Sequence, residues 1–354
     1  TITMGDSNVN LLRIPGLGST DGQVLTYSSS SGGIVLAAAS GGGVTGTVEG
    51  TNFTDSLLVG HTTTGTLSSA LRNTGVGLDA MDAITSGDDN VGVGYQTLTA
   101  ITSGTQNVAI GSYALSTEDA HGKNVAIGYE ALKVQDAGSD ARNVAVGAEC
   151  GKAMTTGVTN SLLGYQAGLA LTSGSGNVAI GNEALKSENA HGRNTAIGSG
   201  ALALQDAGAH AYNVAVGKSA GGSLTTGIKN TFIGSSVAEQ ITTGSENVAI
   251  GYQALQTEDT NGQNVAIGFE ALKTQDGADG NIAVGYKAGT SLTTGLANTA
   301  LGFQALKDET TDGFNVAIGY SAMSSSQLSA RNIAIGYQAL NNVTNSSSTD
   351  TNNI

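Results

Sequence analysis

The five residues Asn-Val-Ala-Ile-Gly return along this chain at nearly constant spacing. Copies begin at Asn107, Asn124, Asn143, Asn160, Asn177, Asn194, Asn213, Asn230, Asn247, Asn264, Asn281, Asn298, Asn315 and Asn332, with looser versions at Asn73 and Asn90. The step from Asn107 to Asn124 is kept throughout, except that Asn124 to Asn143 and Asn194 to Asn213 are each longer by two. A period this short is one coil of a solenoid, in which each turn buries its apolar residues against its neighbours. Length alone, 354 residues, would suggest two ordinary domains. The repeat replaces that expectation with one stack. Residues 1–55 form a connector or cap, residues 56–348 form seventeen turns starting at Ser56, and residues 349–354 form a tail.

Each position in the turn has its own chemistry. Position five is Gly in all seventeen turns, and position four is always Val, Ile or Leu. Position two is mostly Val. Position three is Ala in twelve turns and Gly in two, with Leu58, Leu162 and Phe232 as exceptions. A short apolar run rich in β-branched residues and closed by Gly reads as a strand. The fold class is therefore all-β, a parallel β-solenoid with 17-residue turns. Because positions two to four are apolar together, the strand is expected to be covered on both faces. One cover is the inside of the coil. The other must come from another chain, so the turn predicts an obligate multi-chain rod. Val and Ile are expected to point into the coil and the small third residue to face the partner; the opposite assignment stays open, and Leu162 and Phe232 hint at exchange between faces.

Gly at position five turns the chain out of the strand with a backbone angle other residues resist. Asn at position one is expected to form a ladder between turns and to cap turn carbonyls. Position six is Tyr or Phe in nine turns: Tyr95, Tyr129, Tyr165, Tyr252, Phe269, Tyr286, Phe303, Tyr320 and Tyr337. That column is either a structural stack or a carbohydrate-binding stripe. Positions eight and nine form a second short apolar segment. Cys150 falls in the eighth position, an Ala slot, and reads as a small buried residue. The other residues of each turn are polar and variable, and both two-residue insertions fall there, within 135–140 and 205–210. This segment is expected to face outward. At about 4.8 Å per turn the rod would be roughly 80 Å long.

A longer period is also present. Asn107, Asn177 and Asn247 are evenly spaced, four turns apart, and their loops match: Thr117-Glu118-Asp119-Ala120-His121-Gly122, Ser187-Glu188-Asn189-Ala190-His191-Gly192 and Thr257-Glu258-Asp259-Thr260-Asn261-Gly262. A block of four turns has been duplicated. Before the repeat, the stretches 10–15, 22–27 and 34–39 read as short strands between Gly and Ser turns. The connector is expected to join the rod to something upstream. The polar end, 341–354, carries no convincing cap, so further sequence or another protein is expected to follow it.

The composition narrows function. The formal net charge is −14, and an acidic surface repels phosphate backbones, which argues against a nucleic-acid partner. The longest apolar run, 33–39, is far short of the roughly 20 residues a membrane-spanning helix needs. Four histidines, His61, His121, His191 and His210, are scattered, and His121 and His191 hold equivalent loop sites. The acidic pairs Glu118-Asp119, Glu258-Asp259 and Asp308-Glu309 read as solvated loops. No nucleophile triad, zinc motif, phosphate loop or calcium β-roll motif is present. The sequence thus points to no catalytic, cofactor-binding or metal-ligating residue, to no cofactor, and to a chain that is not an enzyme.

The pentad followed by two residues and Ala resembles the head repeat of trimeric autotransporter adhesins of the YadA type, Asn-Ser-Val-Ala-Ile-Gly. It resembles still more closely the versions found in bacteriophage tail fibres, and 22–26 is similar to connectors in such fibres. The resemblance covers about residues 56–348. It implies a left-handed β-roll, two further copies of the chain in a homotrimer, and outer loops that bind a bacterial surface glycan or protein. For a phage fibre it also implies attachment to an upstream fibre or baseplate protein and a place in the virion tail. The turn is longer than the adhesin's, and no coiled-coil heptads are visible, which favours the phage fibre. The alternatives are a cellular surface adhesin or extracellular filament and, further off, a glycan-degrading solenoid enzyme.

Overall fold

The structure, a computed structural model, describes residues 11–12, 24–28, 33–37, 46–50, 53–59, 68–257, 260, 262–326 and 330–343. The described residues contain strands and turns and no α-helix. By contacts the chain divides into two compact units, Thr1–Leu163 and Gly164–Ile354. Each is a parallel β-solenoid in which one turn supplies one short strand.

The first unit opens with an antiparallel meander, Leu11–Leu12, Val24–Ser28, Gly33–Ala37, Gly46–Gly50 and Phe53–Val59. The three strands expected near the start are among these. Phe53–Val59 then changes partner mode. It pairs antiparallel with Gly46–Gly50 on one edge and parallel with Thr74–Val76 on the other. Apart from the two-residue strand Ala70–Leu71, which pairs parallel with Phe53 and Thr54, every later strand among the described residues is three residues long and parallel to the next, through Ser161–Leu163 in the first unit and from Val178–Ile180 to Ile333–Ile335 in the second. Partners are equivalent residues of successive turns: Val125 faces Val144, Ala126 faces Ala145, and Ile127 faces Val146.

The burial of these strands reverses the expected faces. The third position is buried and the two flanking positions are half-buried or exposed, as in Val108–Ile110, Val178–Ile180 and Ile333–Ile335. Ala109, Ala126 and Ala249 have no exposed surface, whereas Ile110 is 39% exposed and Val144 42%. The small residue points into the coil, and Val and Ile point out of it. The reason is the volume the rest of the turn already occupies. Leu at position nine and the residue at position twelve fill the interior, leaving room for a methyl group. At Gly92, a Cβ would already touch Met81 at 3.0 Å and Leu98 at 3.5 Å.

The exceptions follow the same accounting, and no exchange of faces occurs. Leu162 and Phe232 are buried and point inward like the Ala residues they pair with. Each faces a Gly at position nine of the preceding turn. A Cβ on Gly151 would come within 3.0 Å of Leu162, and one on Gly221 within 2.8 Å of Phe232. Cys150 lies buried in its Ala slot.

The asparagine ladder is present and its bonding is specific. In the first unit the side-chain oxygen of Asn73 accepts the backbone N–H of Asn90 at 2.9 Å, and Asn90 repeats this toward Asn107 at 3.0 Å. In the second unit the same bond runs from Asn264 to Asn281 at 2.9 Å and from Asn281 to Asn298 at 2.8 Å. The amide nitrogen donates to a carbonyl near the end of its own turn, as Asn281 does to Gly295 at 2.8 Å. Such a side chain ties one turn closed and joins it to the next, whereas Asn124 and Asn194 donate instead to Glu118 and Glu188 of the turn before. Asn73, Asn90 and Asn281 have no exposed surface, so these bonds form away from water.

Candidate functional site

The outward residues form a continuous face within each unit. Positions two and four present Val, Ile, Leu and Thr to solvent, with Leu163 48%, Ile233 40% and Ile282 44% exposed. Just beyond the glycine column, position six adds aromatic rings. In the second unit Tyr252, Phe269, Tyr286, Phe303, Tyr320 and Tyr337 stack one on the next, with centroids 5.0–5.4 Å apart and planes within 23° of parallel. Parallel strands in register bring equivalent rings to nearly the strand spacing, and the rings lean into contact. Their flat faces are therefore spent on one another. A sugar ring packs on an aromatic face, so the stack offers it edges along its length. This geometry favours the structural reading of the column. In the first unit Tyr95, Tyr113 and Tyr129 meet edge to face, at 5.2 and 6.5 Å.

Charges line the margin of this face. Glu130, whose side chain is 8% exposed, is held between Lys133 at 2.6 Å and Lys152 at 2.5 Å. Hydrogen bonds from the two ammonium groups hold its carboxyl down to about 2, against an ordinary value of 4.5. A carboxylate with a lowered folded-state pKa adds stability above its unfolded pKa and loses it as pH falls through the folded one. The contribution of Glu130 is thus present at neutral pH, declines below pH 4.5 and is lost as pH falls through about 2. Both lysines are about a third exposed, so water screens the pair and its worth is about 1 kcal/mol. Glu130→Gln is expected to lower stability by that amount at pH 7 and by progressively less as pH falls through about 2, as read from denaturant midpoints.

The polar segment of the turn lies mostly on the opposite margin. Gly138 and Gly208, inside the two insertions, have open space where a side chain would sit, so the insertions face outward as expected. In the second unit a shallow hollow of about 310 Å³ runs across these loops, lined by Thr243, Ser245, Glu246, Thr260, Gln263 and Asp279. Its walls are hydroxyls, an amide and carboxylates. No family model, curated protein or solved structure matches this chain.

The segment is not outward throughout. Its twelfth position points into the coil, which the sequence reading missed. Ile84, Ile101, Met154, Leu171, Leu224 and Ile241 are buried there, and so are Glu118, Gln135, Glu188 and Gln205. Two apolar turns are followed by a Glu turn and a Gln turn, and the order repeats with the four-turn block. The signal was legible as a column of Ile, Met and Leu at one offset, with Glu and Gln interrupting it at fixed places. The solvated reading of the acidic pairs is accordingly wrong for Glu118 and Glu309. Glu118 has no exposed surface and Glu309 is 4% exposed, although Asp119 and Asp308 are exposed. Glu258 and Asp259 lie outside the described residues, as does His61.

The buried glutamines tie turns together, except that the Oε1 of Gln275 has no hydrogen-bond partner. Gln135 accepts from Asn143 and donates to the Thr155 carbonyl, and Gln205 does the same with Asn213 and Thr225. The histidines divide. His210 is exposed and packs edge-on against Tyr212. His121 and His191 turn one ring nitrogen toward the buried glutamate of their own turn.

Proposed function

We propose that this chain is a structural and adhesive fibre segment, a phage tail fibre that assembles as a homotrimer and presents its outer loops to a bacterial surface receptor. The observation that carries the assembly is the unpartnered apolar face. Within each unit it combines outward Val, Ile and Leu with exposed aromatic rings. Contiguous exposed apolar patches beyond a few hundred Å² mark interaction surfaces, and a face built from identical turns is self-complementary along its length. The trimer number and the phage setting rest on the resemblance of the pentad. Recognition falls to the opposite margin, where the loops vary, accept insertions and offer hydroxyls and carboxylates suited to a glycan or a polar protein surface.

Assembly is tested by mass. Light scattering at micromolar concentration is expected to give three chains per particle, and a monodisperse monomer would overturn the proposal. Ile233→Glu puts a charge on the outer face of a strand whose inner residue is Phe232. It is expected to weaken assembly at least tenfold while the circular dichroism spectrum of the β-solenoid persists. The adhesive part is tested by binding of the labelled fibre to bacterial cells. Recovery of the chain from purified virions, and not from a cell-envelope fraction, supports the phage setting over a cellular adhesin.

A further inference from the structure

We propose that Glu118, His121 and Asp136 in the first unit, and Glu188, His191 and Asp206 in the second, are two equivalent sites for a first-row divalent cation of the zinc class. In each cluster the donor atoms all lie within 4.8 Å of one another. Glu and His come from one turn and Asp from the next, so an ion held there joins successive turns.

Four observations meet at these sites. The first is an orphaned nitrogen. His121 Nδ1 and His191 Nδ1 are buried and make no hydrogen bond. Each stands 3.9 Å from the nearer carboxylate oxygen of its glutamate, too far for a hydrogen bond. Two donors about 2.1 Å from a shared tetrahedral ion stand roughly 3.4 Å apart, so a closure of about half an ångström from 3.9 Å would let both hold one cation. Asp136 and Asp206 are exposed, and their side chains can swing in to close the set.

The second is the buried acid. Glu118 and Glu188 have no exposed surface, so a carboxylate there has lost its water shell and an unpaired charge is costly. A cation would offset that cost. The glutamates are already oriented as ligands usually are, by a further set of hydrogen bonds. Glu118 accepts from the His121 backbone N–H at 3.2 Å and from Asn124 at 3.3 Å, and Glu188 accepts from His191 and Asn194 at 3.2 Å each. The donors are thus positioned by the asparagine ladder itself.

The third is co-occurrence in the sequence. The two blocks that carry the histidine are the two in which the following turn is lengthened by two residues. The third block keeps Glu258 and Asp276 at the matching places, has Asn261 in place of histidine, and has no lengthened turn. The ion would pin the enlarged loop where it leaves the coil, since Asp136 and Asp206 sit at the start of the insertions. The fourth is the donor chemistry. One imidazole with two carboxylates suits Zn²⁺ and its first-row neighbours, whereas Ca²⁺ and Mg²⁺ favour all-oxygen sets.

The test is titration of the chelator-stripped full chain with Zn²⁺ by calorimetry, and with Co²⁺ by visible absorption. About two equivalents per chain are expected, with a higher melting midpoint when loaded. His121→Asn and His191→Asn, each copying the residue of the third block, are expected to remove one equivalent apiece, and the double variant both. Unchanged circular dichroism in the metal-free double variant separates lost ligation from misfolding. Binding weaker than about 1 mM in the parent chain, or binding that survives in the double variant, would overturn the proposal.

Discussion

Gly251→Ala is expected to lower stability by about 2–6 kcal/mol, enough to abolish folding if the solenoid is no more stable than an ordinary domain. Gly251 occupies position five with a φ of +132°, a conformation in which L side chains are strained. A Cβ there would also lie 2.4 Å from the carbonyl oxygen of Gly268 in the next turn. Backbone cannot swing aside as a flexible side chain can, so relief requires the two turns to separate. Separation breaks the strand pairing of Val248 with Val265 and the residues beyond it. Gly208→Ala is the matched comparison. Its φ of +68° is also positive, but nothing lies within 4 Å of the added methyl, so a penalty of about 1 kcal/mol is expected. Melting curves of the two variants, side by side, decide whether close stacking or conformational freedom explains the glycine column. Equal losses would show that stacking contributes nothing.

The second large effect is expected at the ladder. Asn281 is fully buried, its oxygen holds the N–H of Asn298, and its nitrogen holds the carbonyl of Gly295. Asn281→Ala removes both partners in the interior at once. A buried polar group left unsatisfied costs about 1–3 kcal/mol, so a loss of about 2–6 kcal/mol is expected from chemical denaturation. Asn281→Asp keeps the acceptor, loses the donor and buries a charge against the Gly295 carbonyl. It is expected to be at least as damaging at neutral pH and to recover toward the Ala variant when acid protonates the carboxyl. An Asp variant as stable as the parent would show that the donated bond contributes nothing.

The reason the two columns matter is that much of the remaining backbone is not relaxed. Positions seven, nine and seventeen adopt left-handed φ angles turn after turn. Leu115, Leu132, Leu202 and Leu255 lie near +50°. A residue with a side chain gives up roughly 1–2 kcal/mol there, so an isolated turn would not hold this path. Stacking over-determines it, through the strand pairs, the asparagines and the buried leucines.

The repeat by itself determined the architecture. A 17-residue period ending each apolar run in Gly allows one short strand per turn, and an invariant buried-type Asn beside it allows a ladder. The four-turn block was equally legible, because insertions and loop motifs share its spacing. The faces were not. Three consecutive apolar residues put the middle one opposite its neighbours, and that condition is met whether Ala or the Val and Ile pair points inward. What decided it was volume contributed from elsewhere in the turn. Leu at position nine and the residue at position twelve occupy the interior, so the coil accepts a methyl at position three and expels the β-branched pair. The same long-range packing drew Glu118 and Glu188 inside from loops that read as solvated. It also set His121 beside Asp136 of the following turn, a proximity that requires the stack to exist before it can be seen.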